Sequence, residues 1–416
     1  MDSPTRKGYV RLVGEVAYDD RRGKTELYWF EAPQRVAGHL SDSGNPWFVC
    51  LMPLAVTLGE PLRIAKPVDP LLLENARTLM RIWRAWYPHL RLVSVEAQPL
   101  GKAMEDSRRT AAFFSGGVDS FFTVLRHRPE AEEPAKPFVD DFLSVWGFDI
   151  PLTNDAAFER TRAALQQAAA ELGKDLVDVA TNIRTTRLDE APWGYLCHGC
   201  ALAAVALALE GRYGQALIAS ASHVGHDMTP WGTHPLTDPL LSTSRTRIIH
   251  DGAEFTRVEK TELVSTSEVA MRHLRVCWRS QSDMNCSACN KCYRTMTTLE
   301  VLGALERCTT FDRSGFNTRN IARVCTMPGE EVFLDEVREL AARENRMDVA
   351  RAIGRSLRRS RRISWWLRLA GKLQAMRFMW RAGIRLERLA RARAETLEEE
   401  RQAADLPAGR RESTAW

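Results

Sequence analysis

The sequence predicts an α/β protein built on a doubly wound parallel sheet, and three observations support this class. Short, continuously apolar runs alternate with helix-like segments between residues 110 and 219, as in parallel sheets whose strands are buried on both faces. A Gly-Gly turn follows the first of these runs, and four closely spaced cysteines follow the last one. The length of 416 residues allows two or three domains. We expect a small N-terminal α+β domain over residues 1–107, the sheet domain with its cysteine site over 108–325, and a helical, basic extension over 326–416.

The first 107 residues contain strand-like runs, one helical stripe and no motif that carries chemistry. Apolar residues that recur at steps of three and four predict a helix over Pro70–Tyr87. Runs with turn signals between them predict four strands, which are Tyr9–Val13, Glu26–Phe30, Trp47–Leu54 and Leu90–Val95. We therefore expect a module that packs against the sheet domain or shapes its substrate site.

The alternation of strands and helices begins at Thr110. The predicted strands are Ala111–Phe114, Phe142–Trp146, Leu176–Val179 and Ala216–Ala219. The predicted helices are Asp119–His127, Ala156–Leu172 and Gly199–Arg212. In sheets of this class, ligands bind outside the carboxyl ends of the strands, and Ser115 falls at that position.

The turn after the first of these strands reads SGGVDS over Ser115–Ser120. Glycine adopts backbone angles and permits close approaches that other residues do not. The N–H groups of Gly116 and Gly117, with the positive end of the following helix, would cradle phosphate oxygens. Asp119 would orient this turn or hold Mg²⁺, and the two serines would add hydroxyl donors. The alternative is a tight connection capped by the aspartate or a serine.

Four cysteines within sixteen residues indicate a metal site. Cys277, Cys286, Cys289 and Cys292 have the spacing of a metal-binding knuckle. Cysteine thiolates prefer Zn²⁺ in tetrahedral geometry, and four protein ligands leave no open position, so the expected role is structural. The alternative is an iron–sulfur cluster, because the spacing alone does not select the metal.

The turn and the cysteines together are similar to a known enzyme family. Phe114–Ser120 resembles the PP-loop of N-type ATP pyrophosphatases, which split ATP into AMP and pyrophosphate. The two motifs, in this order and about 160 residues apart, resemble 7-cyano-7-deazaguanine synthase. Lys260, in the stretch VEKTEL between the motifs, is similar to a lysine of that family. The resemblance covers about residues 110–310 and implies a PP-loop, adenine nucleotide alpha hydrolase-like fold.

The resemblance also implies cofactors and a role for each matching residue. The cofactors are ATP, Mg²⁺ and Zn²⁺. The catalytic residues would be Ser115, Asp119 and Lys260. The ATP-binding residues would be Phe114, Ser115, Gly116, Gly117, Val118, Asp119 and Ser120. The zinc ligands would be Cys277, Cys286, Cys289 and Cys292.

The implied activity is that of an ATP-dependent ligase that forms AMP and pyrophosphate. It would adenylate a carboxylate or amide and add nitrogen from ammonia, with a deazapurine-like carboxylate or another acyl group as the small-molecule substrate. Two alternatives stay open: a sulfur-transferring PP-loop enzyme, and a non-enzymatic nucleotide-binding regulator. The chain also departs from the family. His198-Gly199 replaces an arginine-asparagine pair, and residues 228–244 replace a tyrosine-proline-aspartate-cysteine segment. It resembles long-chain relatives from antiphage defence and other specialised clusters more than the housekeeping enzyme.

Two further groups of residues have weaker signals. Cys197-His198-Gly199-Cys200 is a CxxC motif that would be redox-active, contact the nucleotide through His198, or simply pack. A polar loop follows the fourth predicted strand and would either supply ordinary capping residues or contact substrate and Mg²⁺ and do acid–base work on ammonia. Its candidate residues are His223, His226, Asp227, His234 and Asp238.

The basic character of the chain is confined to its C-terminal part. Residues 351–393 hold fourteen Lys or Arg and one acid, a local charge of +13, so the total of +5 leaves −8 elsewhere. An apolar stripe runs through this segment at Trp366, Leu369, Leu373, Met376 and Trp380. Such a basic amphipathic helix would dock on its own chain or bind a partner protein, a membrane surface or nucleic acid.

The compartment is predicted from features at the start and in the middle of the sequence. The N-terminus lacks the basic-then-apolar layout of a signal peptide. The longest apolar run, Ala201–Leu209, is too short to span a bilayer. Clustered cysteines without an export signal favour a metal site over disulfides. We therefore expect a cytoplasmic protein. We also expect that, if it self-associates, it forms a homodimer.

Overall fold

A computed structural model describes residues 5–19, 25–101, 109–226, 229–277, 285–326 and 329–374. The chain divides into two compact units. The first comprises residues 1–285 and 298–310, and the second comprises residues 286–297 and 311–416. The strands are β1 Tyr9–Val16, β2 Glu26–Pro33, β3 Leu62–Arg63, β4 Val95–Glu96, β5 Arg109–Phe113, β6 Asp141–Trp146, β7 Asp175–Thr181, β8 Tyr213–Ala219 and β9 Arg247–Asp251. The helices are α1 Asn45–Leu58, α2 Pro70–Trp86, α3 Val118–Arg126, α4 Asp155–Glu171, α5 His198–Ala208, α6 Arg257–Ser265, α7 Glu268–His273, α8 Asn290–Val301, α9 Thr318–Ile321, α10 Glu331–Arg343 and α11 Met347–Gln374.

A mostly parallel, seven-stranded sheet forms the centre of the first unit. Its order is β1-β2-β7-β6-β5-β8-β9. The five strands from β7 to β9 in this order are mutually parallel, whereas β2 runs antiparallel to β7 and β1 antiparallel to β2. The predicted α/β class with a parallel sheet is therefore confirmed. The first parallel strand, β5, lies between β6 and β8, so the strand order reverses there and creates a switch point at the carboxyl end of β5.

The predicted parallel strands form because their apolar runs are buried. Four of the five residues in β5 and five of the six residues in β6 are buried. Beyond the end of β5, Phe114 packs against Phe142 with ring centroids 4.7 Å apart. The fifth parallel strand, β9, was not predicted. Its apolar part is only two residues long and lies between the polar ends Arg247 and Asp251. No helix-length pattern precedes it, so the alternation of strands and helices did not predict it.

The N-terminal strands extend this same sheet. Phe30 of β2 is opposite Thr181 of β7, and the Thr181 hydroxyl donates to the Trp29 carbonyl at 2.7 Å. The Trp29 N–H donates to the side chain of Asn182 at 2.9 Å. The segment predicted as a first domain, residues 1–107, therefore shares its sheet with the residues that follow it.

Two predicted strands in this N-terminal segment were wrong. The run Trp47–Leu54 lies within the helix α1, whose residues are buried almost throughout and which packs on α5. A helix buried on every side has no amphipathic period, so its apolar run reads like that of a buried strand. Of the predicted strand Leu90–Val95, only Val95 pairs, in a two-residue parallel ladder with Leu62. The predicted helix at Pro70 is confirmed as α2.

The described part of the second unit is helical. Helix α11 packs against α9 and α10. Its serines fix the segment that precedes α10: Ser356 donates to the Val324 carbonyl at 2.7 Å, and the Thr326 N–H donates to Ser360 at 3.0 Å. The predicted apolar stripe from Trp366 to Trp380 lies outside the side chains that the structure describes. In the part of the chain that is described, no helix has the length and apolar character needed to cross a membrane.

Candidate functional site

The SGGVDS turn joins β5 to α3 at the switch point of the sheet. Phe114 anchors its start, since its side chain is buried and its N–H donates to the Leu143 carbonyl at 2.7 Å. Gly116 has φ +75°, in the left-handed region, and a Cβ there would lie 3.1 Å from Leu165 Cδ2. The left-handed backbone angle therefore favours glycine at residue 116, and a Cβ there would also displace the Leu165 side chain slightly.

Some of the predicted residues of this turn are buried and hold its shape, whereas Ser115 is exposed and could contact a ligand. Val118 and Ser120 are buried, and the Ser120 hydroxyl donates to the Gly117 carbonyl at 3.0 Å. Ser115 is exposed, and its Oγ lies 3.4 Å from both the Gly117 N and Ser120 Oγ. The first-turn N–H groups of a helix have no partners inside the helix, so the start of α3 adds donors beside this exposed serine.

Asp119, in the first turn of α3, faces two cations of α6. Its Oδ2 lies 2.9 Å from Arg257 Nη2, and its Oδ1 lies 3.8 Å from Lys260 Nζ. Residues three apart share one helix face, so Arg257 and Lys260 point the same way. A capping box between Thr256 and Glu259 fixes the start of α6. The structure thus brings predicted Lys260 to predicted Asp119 and adds Arg257, which sequence reasoning missed although the i, i+3 spacing was visible.

Lys260 is held in a buried setting. Its side chain is 3% exposed, and its Nζ donates to the Ser220 carbonyl at 2.7 Å. Burial lowers the pKa of this lysine below its ordinary value, and the carboxylate of Asp119 only partly opposes that effect. Two cationic side chains, Arg257 and Lys260, therefore face the one carboxylate of Asp119.

The segment after α7 borders the turn on another side. The Arg275 N–H donates to the Gly116 carbonyl at 2.8 Å. Below the turn, the buried carboxylate of Asp251 accepts from the Thr123 hydroxyl at 2.6 Å and lies 2.8 Å from His127 Nε2. Burial would raise the pKa of Asp251, but His127, Arg126 and Thr123 outweigh it and hold the pKa below its usual value. These contacts fix α3 to the end of β9.

The four predicted metal ligands lie together. The Sγ atoms of Cys277, Cys286, Cys289 and Cys292 all lie within 4.8 Å of one another. Two of these separations are 3.5 Å and 3.9 Å. A tetrahedral Zn²⁺ with Zn–S bonds near 2.3 Å places its sulfur atoms about 3.8 Å apart, so the cluster fits one such ion. An iron–sulfur cluster distributes its cysteines over separate iron atoms, and the compact spacing favours a single ion instead.

Local backbone contacts shape these ligands. The Cys289 N–H donates to Cys286 Sγ at 3.3 Å, and the Cys292 N–H donates to Cys289 Sγ at 3.5 Å. Such donors stabilise thiolates, which are the form that binds a metal. The amide oxygen of Asn285 accepts from the Cys277 N–H at 3.2 Å and so fixes the first ligand. The predicted metal-binding cluster is therefore present, and a metal such as zinc suits it.

The CxxC motif has an environment that disfavours reactivity. Cys197 and Cys200 are buried, and burial raises the pKa of each thiol well above its ordinary value. Between them, the Gly199 N–H donates to the Gly232 carbonyl at 2.9 Å, and a Cβ at Gly199 would lie 2.2 Å from that oxygen. Gly199 thus allows the loop at Gly232 to pack closely against the start of α5.

The polar loop after β8 contributes one buried pair. Asp238 Oδ2 lies 2.7 Å from Nδ1 of His250, a β9 residue that sequence reasoning missed. The His234 N–H donates to Asp238 Oδ1 at 3.0 Å. Earlier in the same loop, the ring centroids of His223 and His226 lie 5.0 Å apart. The predicted residue Asp227 lies outside the described residues.

Comparisons with known proteins leave these sites to be read from their own geometry. No family model, no curated protein and no solved structure matches the chain. The fold, the charged turn and the cysteine cluster are therefore the findings from which a function can be argued.

Proposed function

We propose that the protein is an ATP-dependent, AMP- and pyrophosphate-forming ligase that adenylates a carboxylate or amide and adds nitrogen. This activity is similar to that of 7-cyano-7-deazaguanine synthase. The observation that supports it most is the turn at the switch point, where Gly116 opens the backbone and Asp119 faces Arg257 and Lys260. Nucleotides bind at such switch points in α/β sheets.

In this proposal the turn receives the phosphates of ATP. Backbone N–H groups at the start of α3 and the exposed hydroxyl of Ser115 donate to phosphate oxygens. Arg257 and Lys260 supply the positive charge that stabilises departing pyrophosphate. Asp119 has a buried Oδ1 that accepts no hydrogen bond within the described residues, so it is the group that fits Mg²⁺. When bound, Mg²⁺ would neutralise phosphate charge.

The reaction then follows from positioning and charge. An oxygen of the substrate attacks the α-phosphorus of ATP, and the bond to the pyrophosphate oxygen breaks. With a carboxylate the product is an acyl adenylate, and with an amide it is an O-adenylated imidate. A nitrogen nucleophile displaces AMP from the acyl adenylate while losing a proton to a base. The chain supplies orientation and electrostatic stabilisation, the two contributions that dominate phosphorus transfer in proteins.

The sulfur-transfer alternative is less well supported. That chemistry needs a thiolate near the turn, and Cys197 and Cys200 are buried with raised pKa values. The four clustered cysteines fit a structural metal, with all positions of a tetrahedral ion taken by protein. A purely regulatory role would not need the buried lysine beside Asp119, since binding alone tolerates an exposed cation.

The proposal is tested by product analysis. Purified protein is incubated with ATP, Mg²⁺, ammonium chloride and either 7-carboxy-7-deazaguanine or a panel of other carboxylates, and AMP and pyrophosphate are quantified. We expect equal amounts of both products with at least one carboxylate, and a loss of at least about 100-fold for Asp119→Ala. The matched control is Asp149→Ala, at an exposed residue. Release of ADP and phosphate, or full turnover by Asp119→Ala, would contradict the proposal.

A further inference from the structure

A small cavity lies at the carboxyl ends of β8 and β9. It has a volume of about 10 Å³, which is room for one molecule of the size of water. Ser220 and His250, which lie at these strand ends, contribute to its lining, together with His234 and the indole of Trp231. None of the described lining residues is a lysine or an arginine.

One nitrogen of His250, a residue that lines this cavity, is buried without a hydrogen-bond partner in the described part of the chain. The His250 side chain is 3% exposed, and the Asp238 side chain is fully buried behind it. Nδ1 of His250 donates to the Asp238 carboxylate at 2.7 Å, so Nε2 is the ring nitrogen that is left to accept a proton or a hydrogen bond. Within the described part of the chain, Nε2 is buried and has no hydrogen-bond partner.

The lining suits a small molecule that donates hydrogen bonds and carries positive charge. The lining residues that can accept hydrogen bonds are His250, through Nε2, and four Ser or Thr residues, among them Ser222 and Thr229. An indole face attracts a cation, and the Asp238 carboxylate supplies the compensating negative charge. His234 adds no positive charge, because burial lowers its pKa below the usual value, with only partial opposition from Asp238.

The cavity adjoins the charged corner of the SGGVDS turn. Ser220, which lines the cavity, accepts a hydrogen bond from Lys260 through its carbonyl. Lys260 in turn lies 3.8 Å from Asp119. Ser220 therefore lies between a molecule held in the cavity and Lys260, the lysine beside Asp119.

We propose that this cavity binds the ammonium ion and that His250, oriented by Asp238, takes its proton. The inference rests on the proposed function, for which ammonia is the nitrogen donor. In the step, one N–H bond of ammonium breaks, the proton goes to Nε2, and ammonia and an imidazolium beside the Asp238 carboxylate result. The ammonia lone pair is then free to attack the acyl carbon.

The test observes the histidine directly and needs neither ATP nor an acyl substrate. Protein labelled with ¹⁵N at histidine is titrated with ammonium chloride while imidazole resonances are recorded, with sodium chloride and methylammonium chloride as matched salts. We expect one histidine to shift saturably with ammonium, with less than a tenth of that shift for either control salt, because methylammonium is too large for the cavity.

The moving resonance is assigned with His250→Gln, which should remove it, and with Asp238→Asn, which should keep the resonance but weaken its response at least tenfold. If His250→Gln does not fold, the Asp238→Asn response alone identifies the pair. Equal shifts with sodium, an equal response to methylammonium, no shift, or a shift confined to another histidine would overturn the proposal. Because the readout is independent of turnover, its failure is distinguishable from failure of the ligase activity.

Discussion

Lys260 illustrates how much a single residue here depends on its surroundings. An exposed lysine keeps its charge up to a pH of about 10.4. Lys260 is 3% exposed, and burial lowers its pKa despite the nearby Asp119. Its positive charge is therefore lost at a lower pH than that of a free lysine, and any contact it makes with a phosphate is lost with it.

This yields a prediction for the pH dependence of ATP binding. The affinity for ATP should fall as pH rises through the lowered pKa of Lys260, below the ordinary range for lysine. Lys260→Arg should keep its affinity over the same pH range, because a guanidinium stays charged. Calorimetric titrations from neutral pH to about pH 10 measure both proteins. Identical alkaline profiles of the two proteins would show that Lys260 does not contact the nucleotide.

Reasoning from sequence selects residues inside a local motif and misses partners that arrive by tertiary packing. Asp119 and Lys260 were selected from their stretches, whereas Arg257 and His250 were not. His250 belongs to β9, and the short helical turn Asp238–Leu241 packs against this strand and brings Asp238 to it. Such contacts depend on tertiary packing, which no single stretch of sequence contains.

At the scale of elements, two neighbouring glycines of the β5–α3 turn differ in how strictly their positions require glycine. Gly116 has φ +75° and a close neighbour in Leu165, whereas Gly117 has φ −80° and only ordinary contacts. Gly116→Ala should lower the free energy of unfolding by about 1–2 kcal/mol, because an L-residue is strained in the left-handed region. Gly117→Ala is the matched control and should change stability much less. Chemical denaturation measures both, and equal losses would mean that the turn does not have this geometry.

The cysteine knuckle gives a second prediction at the element scale. Purified protein should contain about one Zn²⁺ per chain, as the single tetrahedral cluster requires. Cys289→Ser should lose most of that metal and lower the melting temperature by more than about 5 °C, since metal binding contributes folding free energy. Cys308→Ser, at a buried cysteine outside the cluster, should keep the metal. Elemental analysis measures the metal content, and thermal unfolding measures the melting temperature. An iron–sulfur absorption band, or an unchanged melting temperature in Cys289→Ser, would contradict structural zinc.

Element prediction was reliable where a period or a cap was present. Helix α2 was recognised from its apolar stripe. The predicted helix Ala156–Leu172 is present as α4, and the side chain of Asn154 caps it by accepting from the Ala157 N–H. Helix α1 was mistaken for a strand because it is buried on every side, so burial removed the period that would have identified it. The pairing of the N-terminal hairpin with β7 joins segments about 150 residues apart, and no local pattern encodes such a contact.

At the scale of the whole molecule, the start of α11 belongs to the core of the second unit. Ile353, Ser356 and Leu357 are buried in that unit, so removal of residues after 350 would expose its core. A chain that ends at Arg361 keeps these residues. A chain that ends at Ala350 should melt at a lower temperature, as buried apolar contacts are lost. Equal melting temperatures for the two truncated chains would mean that α11 does not stabilise the unit.

The central claim is that the charged turn at the switch point binds the phosphates of ATP. Calorimetric titration of the wild-type protein with ATP and Mg²⁺ tests it most directly. The same titration is made with Arg257→Ala and with the control Arg272→Ala. The control removes an exposed arginine of α7 that is paired with Glu171. We expect saturable 1:1 binding by the wild type and by Arg272→Ala, and at least about tenfold weaker binding by Arg257→Ala, the loss typical of one charged hydrogen bond to a phosphate. No binding by the wild type, or equal affinity in Arg257→Ala, would contradict the account.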